Sequence, residues 1–256
     1  MHIEDLVFII TGGASGLGAQ VVHSIIGKGG FVAIFDINKE NSIALVNKYG
    51  DHVCYFPGPV DVCFESQVEE ALSKTRSHFS NKVLAGAILC SGVLIAPSFI
   101  HGFGPENRLT SYRQFEHIVK INLLGAFCVA QKTSEILINN KPFNEDGEKG
   151  IIIILSSIVG LDGVIVGYGT SKAALAGLTL PLANELSPFG IRVMSIAPGP
   201  FDAPMAYNGL TDPIPALFPH RLGKPKELSD LVLQIIQMPM LNGSVIRMDG
   251  ALRAKI

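Results

Sequence analysis

Residues Ile151–Leu155 read IIIIL, an unbroken aliphatic run. Successive side chains of a strand point to opposite faces of its sheet, so such a run needs both faces covered. Cover of that kind comes from the crossover helices of a parallel sheet. The run is also far too short to cross a bilayer, which takes about 20 apolar residues. Further short apolar runs occur at Val7–Ile10, Phe31–Phe35, Val53–Phe56, Leu84–Leu89, Arg192–Ile196 and Ser244–Met248. Helical patterns separate them: one running to about Lys28, then Lys39–Lys48, Ser66–Ser77, Tyr112–Asn139, a helix starting near Tyr168, and Pro225–Gln237. Strands alternating with long helices predict an α/β fold. The expected architecture is a doubly wound parallel sheet of seven strands with helices on both faces and right-handed crossovers, one domain covering residues 1–256.

Composition narrows the class. Hydrophobic residues make up 48% of the chain and charged residues 16%, too few charges to cover a monomer comfortably, so a homodimer or homotetramer is expected. A net charge of −2 gives no reason to expect nucleic acid or an acidic membrane as partner. The four cysteines (Cys54, Cys63, Cys90, Cys128) and the seven histidines lack metal-ligand spacing, and buried free thiols in a reducing compartment are the simplest account of the former. The chain enters its first strand without a leader-like segment, which suggests the cytoplasm. The terminus Arg253-Ala254-Lys255-Ile256 approaches a peroxisomal signal but ends in the wrong residue.

Two stretches carry chemistry. The first strand runs into Thr11-Gly12-Gly13-Ala14-Ser15-Gly16-Leu17-Gly18 and then a helix. A glycine turn at a helix N-terminus lets backbone N–H groups approach a pyrophosphate, and the helix dipole favours its charge. The G-x-x-x-G-x-G spacing of Gly12, Gly16 and Gly18 is weak evidence alone, since glycines also serve tight turns. Asp36, ending the second strand, stands where a carboxylate would accept hydrogen bonds from an adenosine ribose and repel a 2′-phosphate. The cofactor expected is therefore NAD(H). Asp61, ending the third strand, is placed either to edge the adenine pocket or simply to make a turn.

The second stretch follows the IIIIL strand. Ser156 and Ser157 end it, and Tyr168 and Lys172 come four residues apart at the start of a helix. Positions i and i+4 share a helix face, so a phenol and an ammonium lie side by side. The ammonium is expected to favour the phenolate and so to ready the tyrosine for proton transfer. An isolated Y-x-x-x-K is far more often an ordinary surface pair. What changes the balance is its company.

With these pieces assembled, the chain resembles the short-chain dehydrogenase/reductase family over essentially its whole length. The matching segments are Thr11–Gly18, Asp61-Val62, Cys90-Ser91-Gly92, Asn122 in KINLLGAF, Ser157, Tyr168 to Lys172, and Pro198-Gly199. The stretches GIRVMSIAPGPFDAPM, HRLGKP and LNGSVIRMDGALR are similar to the hydroxyacyl-CoA and hydroxysteroid dehydrogenase branch. The resemblance implies a Rossmann-like fold and a catalytic set of Asn122, Ser157, Tyr168 and Lys172. Tyr168 would be the general acid/base, Lys172 would lower its pKa and hold the nicotinamide ribose, Ser157 would bind the reacting oxygen, and Asn122 would fix a water leading from Lys172 to solvent. It further implies cofactor contacts from Gly12, Ser15, Gly16, Leu17, Gly18, Asp36, Ile37, Asp61, Val62, Cys90, Gly92, Tyr168, Lys172, Pro198, Gly199 and Phe201.

Four departures from the family pattern stand out. The segment from Ser157 to Tyr168 is about two residues short, leaving Ser156 as the alternative substrate-facing serine. Leu89 replaces a usual asparagine, and Ala203 a usual threonine. The substrate-covering segment Pro204–His220 is several residues short and contains four prolines. Phe99, Phe103 and Phe201 either line an apolar substrate pocket or pack the core. The expectation is an NAD-dependent enzyme interconverting an apolar secondary alcohol and its ketone, of hydroxyacyl-CoA or hydroxysteroid type. The alternatives are recruitment to a specialised biosynthetic pathway, redox or not, and a subunit that keeps the fold without chemistry.

Overall fold

The structure is a computed structural model and describes residues 1–95, 98–99, 108–207 and 215–253, with backbone alone at 98–99 and 108. Phe103, the Phe99 side chain, residues 208–214 of the covering segment and residues 254–256 of the terminal tetrapeptide lie outside the described residues.

The first four strands are β1 (Leu6–Thr11), β2 (Phe31–Phe35), β3 (Cys54–Tyr55) and β4 (Val83–Leu89). A small antiparallel ribbon, β5 (Ser98–Phe99) with β6 (Arg108–Leu109), follows. Then come β7 (Gly150–Leu155), β8 (Ile191–Pro198) and β9 (Val245–Met248). All but the ribbon form one parallel sheet of seven strands, ordered β3-β2-β1-β4-β7-β8-β9. The expected fold class holds. The chain reverses direction across the sheet between β1 and β4, and ligands of such sheets bind outside the strand ends at that crevice.

The IIIIL run explains why the sheet must be covered twice. Ile152 and Ile154 join one apolar cluster, and Ile151 and Ile153 join the other. The first cluster is closed by α3 (Glu65–His78), α5 (Ala126–Leu137) and α7 (Val166–Leu186) through Val68, Val129 and Leu175. The second is closed by α1 (Gly16–Ile26) and α8 (Pro225–Gln237) through Val21, Ile25, Leu228 and Val232. Helix α2 (Lys39–Tyr49) adds Leu45 and Val46 to that side. Leu89, in place of the family's usual asparagine, is one of the first cluster's residues and packs among apolar side chains.

Some local readings need correction. The third strand is Cys54–Tyr55, shorter than the apolar run Val53–Phe56. The helix predicted over Tyr112–Asn139 is three pieces: α4 (Tyr112–Val119), a π-helical turn Lys120–Gly125, and α5. The link from Ser157 to Tyr168 contains the short helix α6 (Ile158–Leu161). Of the cysteines, only Cys54 is buried; Cys63, Cys90 and Cys128 are partly exposed, and all four are free.

Candidate active site

The glycine turn is shaped by close approaches that leave no room for side chains. Gly12 has φ 63°, and a Cβ there would stand 2.9 Å from Ser91 N beyond β4. A Cβ on Gly18 would stand 2.2 Å from Gly12 O, so helix α1 sits directly on the turn. Gly16 also has positive φ, 52°, but a Cβ there would meet only Ala203 and Pro204, at 3.7 and 3.6 Å. The segment after β8 therefore leans over the turn. Ser15 begins α1 without a capping hydrogen bond from its side chain among the described residues, and Leu17 packs partly into the core.

Asp36, at the end of β2, accepts from Ala14 N at 3.0 Å and from Asn38 N at 2.8 Å. Its carboxylate is thereby aimed at the glycine turn with lone pairs to spare. Ile37 beside it is exposed, an apolar side chain with an uncovered face. Asp61 makes a turn, accepting from Cys63 N at 2.9 Å, while Val62 is buried against Gly125. Gly199 donates to Met248 O at 2.9 Å, and Phe201 is buried beside Gly223.

The hydroxyl, phenol and amine converge at the ends of β4 and β7. The two serines are not equivalent. Ser156 turns into the sheet and donates to Ile196 O at 3.1 Å. Ser157 caps α6, accepting from Val159 N at 3.2 Å, and its hydroxyl lies near enough to Tyr168 to pull the phenol's pKa down. Tyr168 and Lys172 share one face of α7, with the ammonium 5.7 Å from the ring centroid. Lys172 donates to Leu155 O at 2.7 Å, and a Cβ on Gly92 would lie 3.3 Å from Lys172 Nζ.

Asn122, fully buried in the π-helical turn, is bound to the loop beyond β4. Its Oδ1 accepts from Val93 N at 2.8 Å, and its Nδ2 donates to Val93 O and to Ser171 Oγ, both at 3.0 Å. Single π turns inside helices often mark functional positions, because they rotate one side chain out of register.

The electrostatics differ from the expected pattern. Burial pushes the Tyr168 phenol up to about 12, and the Ser157 hydroxyl opposes this only in part. Burial pulls the Lys172 ammonium down to about 8, against a weaker upward pull from Cys90. Helix spacing set the proximity correctly, but desolvation outweighs the attraction between neighbours at this depth.

A family model described as short chain dehydrogenase matches residues 6–212. The chain belongs to the short chain dehydrogenase family. It is 34% identical to the rat 3-hydroxyacyl-CoA dehydrogenase type-2 over 260 residues, covering 98% of this chain and 96% of that one. It is 39% identical to the ipsdienol dehydrogenase of Ips pini, covering 99% of each. Among solved structures, it superposes on the 3-hydroxyacyl-CoA dehydrogenase type-2 from Mycobacterium avium with a TM-score of 0.87 at 29% identity, covering 98% of this chain and 96% of that one.

Against this family background, two groups escaped the sequence reading. Tyr168 Oη lies 3.8 Å from Met205 Sδ, a contact made by a covering segment whose sequence has no periodicity to interpret. Arg247 reaches Asp162 across the end of the sheet, at 2.6 and 3.0 Å. A signal for the second existed: an arginine inside the otherwise apolar strand VIRM requires a partner.

Proposed function

We propose that the chain is an NAD(H)-dependent dehydrogenase that interconverts an apolar secondary alcohol and its ketone. The observation carrying this reading is Tyr168 and Lys172 on one face of α7, with the Ser157 hydroxyl near enough to act on the phenol and Asn122 behind Gly92. The names of the relatives from rat and Ips pini, dehydrogenases both, support an alcohol substrate.

The residues fit a nicotinamide dinucleotide. A turn cleared of side chains at Gly12, Gly16 and Gly18 meets the positive end of α1, which suits a pyrophosphate. Asp36 offers a carboxylate to ribose hydroxyls and would repel a 2′-phosphate, and exposed Ile37 offers an apolar face to adenine. Asp61, Val62, Cys90, Gly92, Pro198, Gly199 and Phe201 complete the walls. Ala203 and Pro204 border the turn at Gly16. When bound, the nicotinamide supplies or takes the hydride.

The chain's own groups handle the proton. Tyr168 is held as a phenol and donates to the carbonyl oxygen as that oxygen gains charge. Ser157, fixed as the cap of α6, presents a second donor to the same oxygen. Lys172 positions the ribose and, with a pKa near 8, passes a proton towards Tyr168. Asn122 anchors the Val93 loop beside Lys172 and holds the water that refills the relay. Met205 covers the phenol until substrate displaces it.

The exposed apolar residues Leu124, Phe127, Val166 and Leu180 on the π turn and on α5 and α7 are read as a self-association surface, and no helix of the described residues is long and apolar enough to cross a membrane.

The test is NADH oxidation with a panel of acetoacetyl-CoA, steroid ketones and medium-chain methyl ketones. Tyr168→Phe is expected to lose at least about a hundredfold in kcat while binding NADH normally. Near-native turnover by that variant would mean the acid/base is elsewhere.

A further inference from the structure

The link between Ser157 and Tyr168 is strained and wedged. Gly163 has φ 74°, and Ile165 has φ 59° and ψ 92°, a conformation that a β-branched residue rarely adopts. Ile165 immediately precedes α7. On one side, a Cβ on Gly169 would stand 2.0 Å from Val164 O, and Gly169 N donates to Ile165 O at 2.6 Å. On the other, a Cβ on Gly160 would stand 2.4 Å from Ala173 N, so α6 lies against α7 with no clearance. Strained backbone persists only where its surroundings over-determine it.

The outer end of this link is held by charge. Asp162, its carboxylate mostly buried, receives Arg247 Nη1 at 2.6 Å and Nη2 at 3.0 Å. The guanidinium is itself fixed: Nε donates to Asp249 Oδ2 at 2.7 Å, and Nη2 to Leu252 O at 3.1 Å. Asp249 in turn packs beneath the opposite wall, where a Cβ on Gly199 would stand 2.9 Å from its Cα. One side chain on the last strand thus references both the Ser157–Tyr168 link and the Pro198-Gly199 turn.

We propose that Arg247 is a positioning residue: its two-pronged hold on Asp162 keeps the strained link at residues 163–165 in place and so sets Tyr168 against Ser157. This rests on the dehydrogenase reading above. A planar fork matched to a carboxylate fixes direction as well as distance, which a lysine ammonium cannot do.

The experiment uses the full chain with NADH and whichever ketone of the panel the wild type reduces fastest. Arg247→Met and Asp162→Asn are each expected to lower kcat by roughly thirtyfold or more, with the Kd for NADH, read by fluorescence titration, within about twofold of wild type. Arg247→Lys falls between, since a single ammonium keeps the charge but not the fork. Should Arg247→Met not fold, judged by circular dichroism and melting, Asp162→Asn alone decides. A kcat within about threefold of wild type in Asp162→Asn, or equal losses in kcat and NADH affinity, overturns the positioning role. Tyr168→Phe runs alongside. If it is inactive while Asp162→Asn is active, only the clamp is wrong; if it is active, or if wild type reduces no ketone, the dehydrogenase reading fails and the clamp with it.

Discussion

Lys172 donates from a buried ammonium to the carbonyl oxygen of Leu155 at 2.7 Å, one residue before the two serines. No carboxylate shares that pocket among the described contacts of Lys172, and burial lowers its pKa from 10.5 to about 8. Between those values the unfolded chain binds more protons than the folded one, so stability rises with pH across that interval. Below it, the charged amine costs the fold roughly 1–3 kcal/mol. Lys172→Met is therefore expected to raise the melting temperature at pH 7 by a few degrees while abolishing turnover, the gain fading between about pH 8 and 10.5. Differential scanning fluorimetry across pH checks it; a lower melting temperature at pH 7 counts against a buried charge.

The phenol gives a second expectation. With Tyr168 held near 12, the proton stays on the oxygen throughout the neutral and mildly alkaline range. Carbonyl reduction, which needs the phenol and the proton passed on by Lys172, should be level from about pH 6 to 8 and fall above it, whereas alcohol oxidation, which needs the phenolate, should climb from about pH 6 to 9. Initial rates in both directions at saturating substrate measure this. A plateau in oxidation below about pH 8 would place the operative pKa far lower than burial sets it.

Asp36 should decide between cofactors. Its carboxylate is tied to Ala14 N and Asn38 N and faces the glycine turn, so replacing it removes both ribose acceptance and repulsion of a 2′-phosphate. Asp36→Ser is expected to lower kcat/KM with NADH by about tenfold or more and to raise it with NADPH. An unchanged NADH:NADPH ratio would move the discrimination elsewhere.

Self-association is the fourth expectation. Leu180 is 55% exposed on α7 and Phe127 42% exposed on α5, and their helices bury apolar residues on the sheet side as well. Light scattering should give a mass of two or four times 27.3 kDa at micromolar concentration. Leu180→Glu or Phe127→Glu should lower it, because a charge in an apolar interface is left unpaired. A wild-type monomer would leave those side chains unexplained.

Most of the fold was legible because aliphatic runs such as Ile151–Leu155 and Phe31–Phe35 have one stable home, whereas the strand order came from the structure. The π turn at Lys120–Gly125 was hidden, since apolar spacing reads through a single wide turn as continuous helix. Within the site, spacing put Tyr168 beside Lys172 and the strand end put Ser157 nearby. What spacing cannot report is depth, and depth reversed the expected shift of the phenol. The directions in which Ser156 and Ser157 turn also waited for coordinates, because they depend on which hydroxyl finds Ile196 O. Arg247 and Asp162 are far apart in sequence, and no local periodicity connects them.

Asn122 gives and receives a hydrogen bond with the same residue, Val93, as a neighbouring strand would. An amide side chain is the only one that imitates a peptide unit so closely, with donor and acceptor in one plane. The ladder of β4 stops at Leu89, and this impostor rung, projected from a helix, carries it past the sheet's edge to the chain that borders Lys172. Aspartate there would set two acceptors against each other at Val93 O, and leucine would offer nothing, so tolerance at this position should be among the lowest in the molecule.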